Sequence, residues 1–259
     1  MHYLCPMVSI ESRFLAIIYG LVCHGIFLLA GAIMFLTILT GFQYSIGSYQ
    51  GFVAIVINVL LLIQFPLGHS FFLSKRGMQI LEIFAPKNYA KTLRTTVYAT
   101  IASIQLILLF SLWNFTGIFI WQIEAPVNIV MIILNLTSWA LLSVSSIQAG
   151  YKVQTGSLGW TSVYQGKEPV FPDMPTRGMF SIIRQPIYLS FSLVLWTSPQ
   201  MSLDLFIVAL TYSFYCYFGP MLKERRFYRL YGKKFTEYQE KVPYYLPFIS
   251  RAVGPFTRR

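Results

Sequence analysis

The chain has 259 residues, 56% of them hydrophobic and only 11% charged, against about 25% charged in an ordinary soluble domain. Its mean hydropathy of +0.59 marks an integral membrane protein rather than a soluble one. The formal net charge is +11, but the basic residues lie between apolar runs, where anionic lipid headgroups would meet them, so nucleic acid is excluded as the partner.

Six apolar runs are predicted in chain order, at 14–40, 51–73, 95–115, 126–149, 187–198 and 203–222. A bilayer-crossing helix needs about 20 apolar residues, which the first four supply. The first run exceeds the apolar core of a signal peptide, about 7–15 residues, and is kept as a span. His24 sits inside it, where a polar side chain is unusual, and is expected to hydrogen-bond a neighbouring helix. The fifth run is short and is broken at Pro199 and Ser202, so the fifth and sixth are predicted to form a helical hairpin. Either the fifth helix starts earlier, within Gly178–Ile183, or it crosses only part of the membrane. Trp113, Trp121, Trp160 and Trp196 are expected mostly in an interfacial belt, with Trp196 or Phe191 the alternatives for lining a pocket.

The loops after the first and third runs and the hairpin turn contain no Lys or Arg. All 20 Lys and Arg then fall on one side of the membrane if there are six spans and both termini are cytoplasmic. In the tail, Phe227, Leu230, Tyr231, Phe235, Tyr238 and Val242 recur at helical spacing over the basic stretch 223–242. This predicts an amphipathic helix lying on the membrane, as a lid over the hairpin's site, or both. The expected fold is all-α: a polytopic membrane protein of five to six transmembrane helices, the last two a hairpin, plus a cytoplasmic amphipathic helix. The whole chain, 1–259, reads as one membrane domain, with a four-span part (1–150) followed by a catalytic part (151–259) carrying the hairpin 187–222 and the tail 223–259.

Cys5, Cys23 and Cys216 form no disulfide framework, and His2, His24 and His69 are too scattered for a metal cluster. There is no Walker loop, no GxGxxG and no Ser-His-Asp arrangement. The chemistry gathers instead at the start of the fifth run. Arg184, Gln185 and Tyr188 stand at its mouth, and Pro186 suits the first helical position. A helix N-terminus beside Arg184 can hold a carboxylate or phosphate. The hairpin returns Lys223, Glu224, Arg225 and Arg226 to the same surface. The competing reading is purely structural: Arg184 pairs with Glu224 or with lipid phosphate.

"RGMFSIIRQPIYLSFSLVLWTSPQMS" followed by "KERRFYRLYGKKFTEYQEKVPYYLP" resembles the C-terminal signature of the isoprenylcysteine carboxyl methyltransferase superfamily. Arg184, Pro186, Ile187, Tyr188, Glu224, Gly232, Tyr238, Val242 and Pro243 match that pattern. Gln185 stands where the superfamily has histidine, and Lys223 replaces the first of two paired glutamates. Upstream, "LIQFPLGHSFFLSKRG", "RTTVYATIASIQLILLFSLW" and "LGWTSVYQGKEPVF" are similar to the bacterial methanethiol S-methyltransferases of this superfamily. The resemblance implies S-adenosylmethionine as cofactor, with Arg184 and the helix start on its carboxylate, Glu224 on its ammonium, and Gln185, Pro186 and Tyr188 completing the site.

The implied reaction is methylation of a small lipophilic thiol, methanethiol giving dimethyl sulfide, in a bacterial cytoplasmic membrane. His69 is a candidate base for the thiol's proton, or else a helix-capping or anchoring residue. Arg94 would stabilise the thiolate or bind lipid phosphate. Two other readings stay open: the same fold acting on a larger lipophilic acceptor, such as an isoprenoid carboxylate or phospholipid amine, and a membrane accessory protein without activity.

Overall fold

The computed structural model describes residues 9–247. His2, Cys5, Arg251, Arg258 and Arg259 lie outside the described residues. The expected all-α membrane fold is present. In chain order the helices and strands are α1 (Ile10–Leu39), α2 (Gly51–Phe72), α3 (Lys75–Leu81), α4 (Ala90–Leu112), β1 (Phe119–Gln122), α5 (Val127–Gln148), α6 (Tyr151–Gln154), α7 (Ser157–Gln165), α8 (Pro186–Trp196), β2 (Gln200–Ser202), α9 (Leu203–Phe218), α10 (Pro220–Tyr231) and α11 (Lys233–Lys241).

Among the described residues, five helical stretches are long and apolar enough to cross a membrane: α1, α2, α4, α5 and the joined run Leu203–Tyr231. Gly219 keeps helical dihedrals at the α9–α10 junction, which lets the two helices run on. The fifth apolar run, α8, has 11 residues, about 17 Å at 1.5 Å per residue. That is short of the hydrocarbon core, about 30 Å, so of the two alternatives α8 takes partial crossing. An earlier start is blocked locally. A 3₁₀ turn occupies Gly178–Ser181, and Gln185, which precedes a proline, leaves the helical region at φ −122°, ψ 50°.

The described chain divides into two compact units. One comprises the residues up to Phe35, Ile46–Asn114 and Tyr151–Phe171; the other comprises Leu36–Ser45, Phe115–Gly150 and the chain from Pro172 onward. The first unit packs α1, α4 and α7 around Ala16, Leu93 and Val163, with Tyr19, Tyr89 and Trp160 against them. Polar pairs fix α2 to α4. Gln64 and Gln105 each donate a side-chain amide to the other's backbone carbonyl, at 2.8 and 2.9 Å, and Asn58 brackets the backbone of Asn114. Hydrocarbon supplies no hydrophobic force between helices, so such bonds and close packing hold them together. His24 accepts from the Trp160 indole at 3.0 Å, the interhelical bond expected of it. Trp160 is thus committed to α1, and Trp113 is 2% exposed. Both are used in packing.

The second unit sets α8 between α5 and α9. Buried Asn135 of α5 donates to the carbonyl of Val194 and to Thr197 near the end of α8. The hairpin turn carries a feature that the sequence reading lacks: β2 pairs antiparallel with β1 in a two-stranded ladder. Asp204 reinforces it by accepting from the Thr116 backbone and hydroxyl, at 3.0 and 2.6 Å. Ser202, fully buried, caps α9 by accepting from the Leu205 amide at 3.0 Å. Replacing Ser202 by Ala leaves that amide unpaired in a dry place. We expect a loss of about 1 kcal/mol, read as a lowered thermal midpoint in detergent.

The tail departs from a single amphipathic helix. It breaks at Gly232, whose φ of +49° and ψ of −120° suit a residue without Cβ, and it turns into α11. Leu230 is 74% exposed while Phe235 and Val242 are buried, so the apolar residues do not share one face.

Candidate active site

Pro186 opens α8, and no side chain caps the helix start. On its edge sit Arg184 and Gln185, 2% and 1% exposed, and α10 brings Glu224, 7% exposed, to meet them. Two buried charges need close pairing and full hydrogen bonding to be tolerated. Both are supplied. Arg184 Nε donates to Glu224 Oε1 at 2.8 Å, and Nη2 donates to Oε2 at 3.3 Å. Arg184 Nη1 donates to the backbone carbonyls of Gln239 and Val242, at 3.2 and 2.7 Å. The Tyr244 ring lies 5.3 Å below the guanidinium carbon. Gln185 Nε2 donates to Glu224 Oε1 at 2.7 Å, and Gln239 Nε2 donates to Oε2 at 3.0 Å.

The two charges that the sequence assigns to a ligand are therefore turned on each other. Four donors saturate the carboxylate, and four protein acceptors occupy the guanidinium. The Arg184 amide also donates to the Pro243 carbonyl at 2.9 Å, so the tail is drawn onto the start of α8. Burial raises the phenols of Tyr238 and Tyr244 well above the usual tyrosine range. Both stay protonated and donate, Tyr238 to the carbonyl of Phe180 and Tyr244 to that of Tyr217.

Beside this cluster is a space of about 10 Å³, lined by Pro175, Phe180, Gln185, Lys223, Phe227 and Tyr238 among others. It holds about one water. A larger cavity of about 630 Å³ lies against α8, α9 and the segment that follows α11, within the range of about 300–1,000 Å³ usual for small-molecule sites. Its walls are Leu189, Leu193, Trp196, Phe214, Tyr217, Tyr244 and Tyr245, with Ser192 and Ser213. Those polar groups are paired within the wall: Ser192 with Tyr245 at 2.8 Å, and the Trp196 indole with Ser213 at 2.8 Å. The cavity offers a greasy, aromatic surface with little free hydrogen-bonding capacity. Of the two alternatives for lining a pocket, Trp196 does so, while Phe191 packs on Tyr212.

Of the residues singled out in the sequence, Arg184, Gln185, Pro186, Tyr188 and Glu224 come together in the second unit. His69 and Arg94 belong to the first. His69 stacks near Phe65 and Tyr98, with both ring centroids at 5.1 Å. Arg94 pairs with Glu82 at 3.3 Å and donates to the Lys91 carbonyl. Gln239 and the carbonyls of Val242 and Pro243 belong to the cluster but were not anticipated. Backbone carbonyls leave no mark in a sequence, and Gln239 resembles any polar residue of an amphipathic helix.

An all-α polytopic membrane protein with a buried ion cluster at the mouth of a helical hairpin is the class that fold and site define. Along most of its length the chain is methanethiol S-methyltransferase-like. It is 26% identical over 252 residues to methanethiol S-methyltransferase 1 of Bradyrhizobium diazoefficiens, covering 91% of this chain and 83% of that protein. It is 26% identical over 202 residues to the methanethiol S-methyltransferase of Pseudomonas deceptionensis (78% and 76%), and 26% identical over 248 residues to that of Crocosphaera subtropica (94% and 96%). No family model and no solved structure matches the chain.

Proposed function

We propose that the chain is a membrane methyltransferase that uses S-adenosylmethionine to methylate a small thiol, methanethiol giving dimethyl sulfide. The observation that carries this reading is the convergence of Arg184, Gln185 and Glu224 at the open start of α8, in a chain whose relatives are named for that reaction. Those names favour neither a larger lipophilic acceptor nor a role without activity.

The residues at the mouth suit the cofactor chemically. Its amino-acid end needs a cation for its carboxylate and acceptors for its ammonium. Gln185 Oε1 is buried without a hydrogen-bond partner, because the Gln185 amide nitrogen must face Glu224. An unsatisfied buried acceptor of this kind costs about 1–3 kcal/mol unless a ligand donor meets it. Tyr188 offers a ring at the same mouth. The adjoining space is small, so the flexible side chains lining it must move for a nucleoside to enter. When bound, S-adenosylmethionine supplies an electrophilic methyl group on a sulfonium.

The protein's contribution is then placement and dryness. Holding acceptor and donor in line replaces an encounter with a fixed geometry. The apolar cavity against α8 and α9 suits a thiol that partitions into lipid. Arg94, already paired with Glu82, is better read as structural than as a partner of the thiolate. With α8 and the run from Leu203 counted as one in-and-out pair, the placement of all 20 Lys and Arg supports cytoplasmic termini and cofactor entry from the cytosol.

The test is direct. Calorimetry on the detergent-solubilised chain should detect S-adenosylmethionine binding, and incubation with methanethiol should release dimethyl sulfide into the headspace. Absence of cofactor binding would remove the enzymatic reading. Binding without dimethyl sulfide would move the reading to another acceptor.

A further inference from the structure

Counting donors and acceptors at the α8 mouth shows which groups remain to meet a ligand. Glu224 accepts from Arg184 twice, from Gln185 and from Gln239. Arg184 spends its donors on Glu224 and on the Gln239 and Val242 carbonyls. Neither charge has much capacity left, and freeing either would strand the other in a buried place.

Lys223 is different. It is half-buried in α10, next to Glu224 in sequence, and it lines the same small space as Gln185. Its Nζ lies 5.2 Å from the Tyr188 ring centroid and 5.8 Å from that of Phe227. Among the described residues it makes no hydrogen bond and no ion pair. Two aromatic faces hold the ammonium in place but accept none of its three N–H donors well. Tyr188 belongs to the first turn of α8, so the ammonium stands beside the positive end of that helix, which no side chain caps. A second observation points the same way: the nearby Gln185, 1% exposed, keeps Oε1 unpartnered. The mouth thus presents one uncommitted cation and one uncommitted acceptor. That is the complement of an α-amino-acid end, a carboxylate beside an ammonium.

We infer that Lys223, rather than Arg184, binds the carboxylate of the cofactor's amino-acid end, with Gln185 Oε1 receiving its ammonium. Arg184 and Glu224 are positioning residues: they fix Gln185 and bring the tail onto α8. The lysine, at the position where the resembling signature has a glutamate, is then a ligand residue of this chain. The inference rests on the S-adenosylmethionine reading.

Two stable probes separate the inference from the reading it rests on. S-Adenosylhomocysteine keeps both nucleoside and amino-acid end; 5′-methylthioadenosine lacks the amino-acid end. Each is titrated into the detergent-solubilised full chain by calorimetry. Lys223→Met should weaken S-adenosylhomocysteine by about ten-fold or more and leave 5′-methylthioadenosine unchanged. Lys223→Arg should retain most of the S-adenosylhomocysteine affinity. Should Lys223→Met not fold, Lys223→Gln gives the same readout with a polar side chain. Unchanged S-adenosylhomocysteine affinity overturns the inference, and so does an equal loss of both probes. A wild-type chain that binds neither probe overturns the cofactor reading itself, and the inference with it.

Discussion

Replacing Glu224 by Ala is expected to abolish S-adenosylmethionine binding and to lower stability by about 3–5 kcal/mol, the usual cost of removing one partner from a buried ion pair. The reason is local. Arg184 is 2% exposed and would keep its charge with two donors unmatched, while the amides of Gln185 and Gln239 would lose their acceptor. Gln185 would then be free to turn, and its acceptor oxygen would no longer be fixed at the mouth. Removing both charges together, as in Arg184→Met with Glu224→Leu, should recover part of the lost stability and none of the binding, because two apolar side chains strand no charge. Thermal melts in detergent and calorimetry on the single and the double variant check this pattern. Wild-type affinity in Glu224→Ala would contradict the placement of the site.

The second large effect is expected at Gly156, in the first unit. Its φ is +74°, a left-handed conformation that costs other residues about 1–2 kcal/mol. A Cβ there would also stand 2.6 Å from the Ala99 Cβ and 2.9 Å from the Cys23 Sγ. The neighbourhood leaves little room to adjust. The Thr96 hydroxyl donates to the Gly156 carbonyl at 2.6 Å and accepts from the Trp160 amide at 3.0 Å, which ties α4 to the start of α7. The Cys23 thiol donates to the carbonyls of Thr96 and Thr155. Gly156→Ala should therefore lose about 2–5 kcal/mol, backbone strain and overpacking together. A drop in the thermal midpoint, with any protein that stays folded keeping its cofactor affinity, is the expected result. A midpoint within a degree of wild type would show that the segment relaxes more easily than its contacts suggest.

The spans were the most legible part of the sequence because lipid is a strict solvent. A helix must satisfy its own backbone and present about 20 apolar residues, and α1, α2, α4 and α5 do both. The mouth of α8 was legible for a similar reason: an arginine, a glutamine and a proline against an apolar run need a physical account. Elsewhere the signal was weak or misleading. β1 and β2 are four and three residues long, too short for an alternating pattern to stand out. The repeat from Phe227 to Val242 looked like one continuous face, and it outweighed Gly232, the residue that ends α10. The state of the ion cluster depends on Gln239 and three tail carbonyls, which meet Arg184 only after the chain has turned at Gly232.

The strand pair gives the hairpin a fulcrum. Beyond the ladder, the Ile123 amide donates to the Pro199 carbonyl, the Leu203 amide to that of Ile118, and the Trp121 indole to that of Ser198. The closed end is riveted, so any parting of α8 from the run that begins at Leu203 falls at the opposite tips, where Gln185 of the α8 start meets Glu224 of α10. With an arm of about 17 Å, a tilt of about 10° moves the tip of α8 by about 3 Å. Small angular play at the rivet is thereby converted into an aperture at the mouth, while the β1–β2 end stays shut.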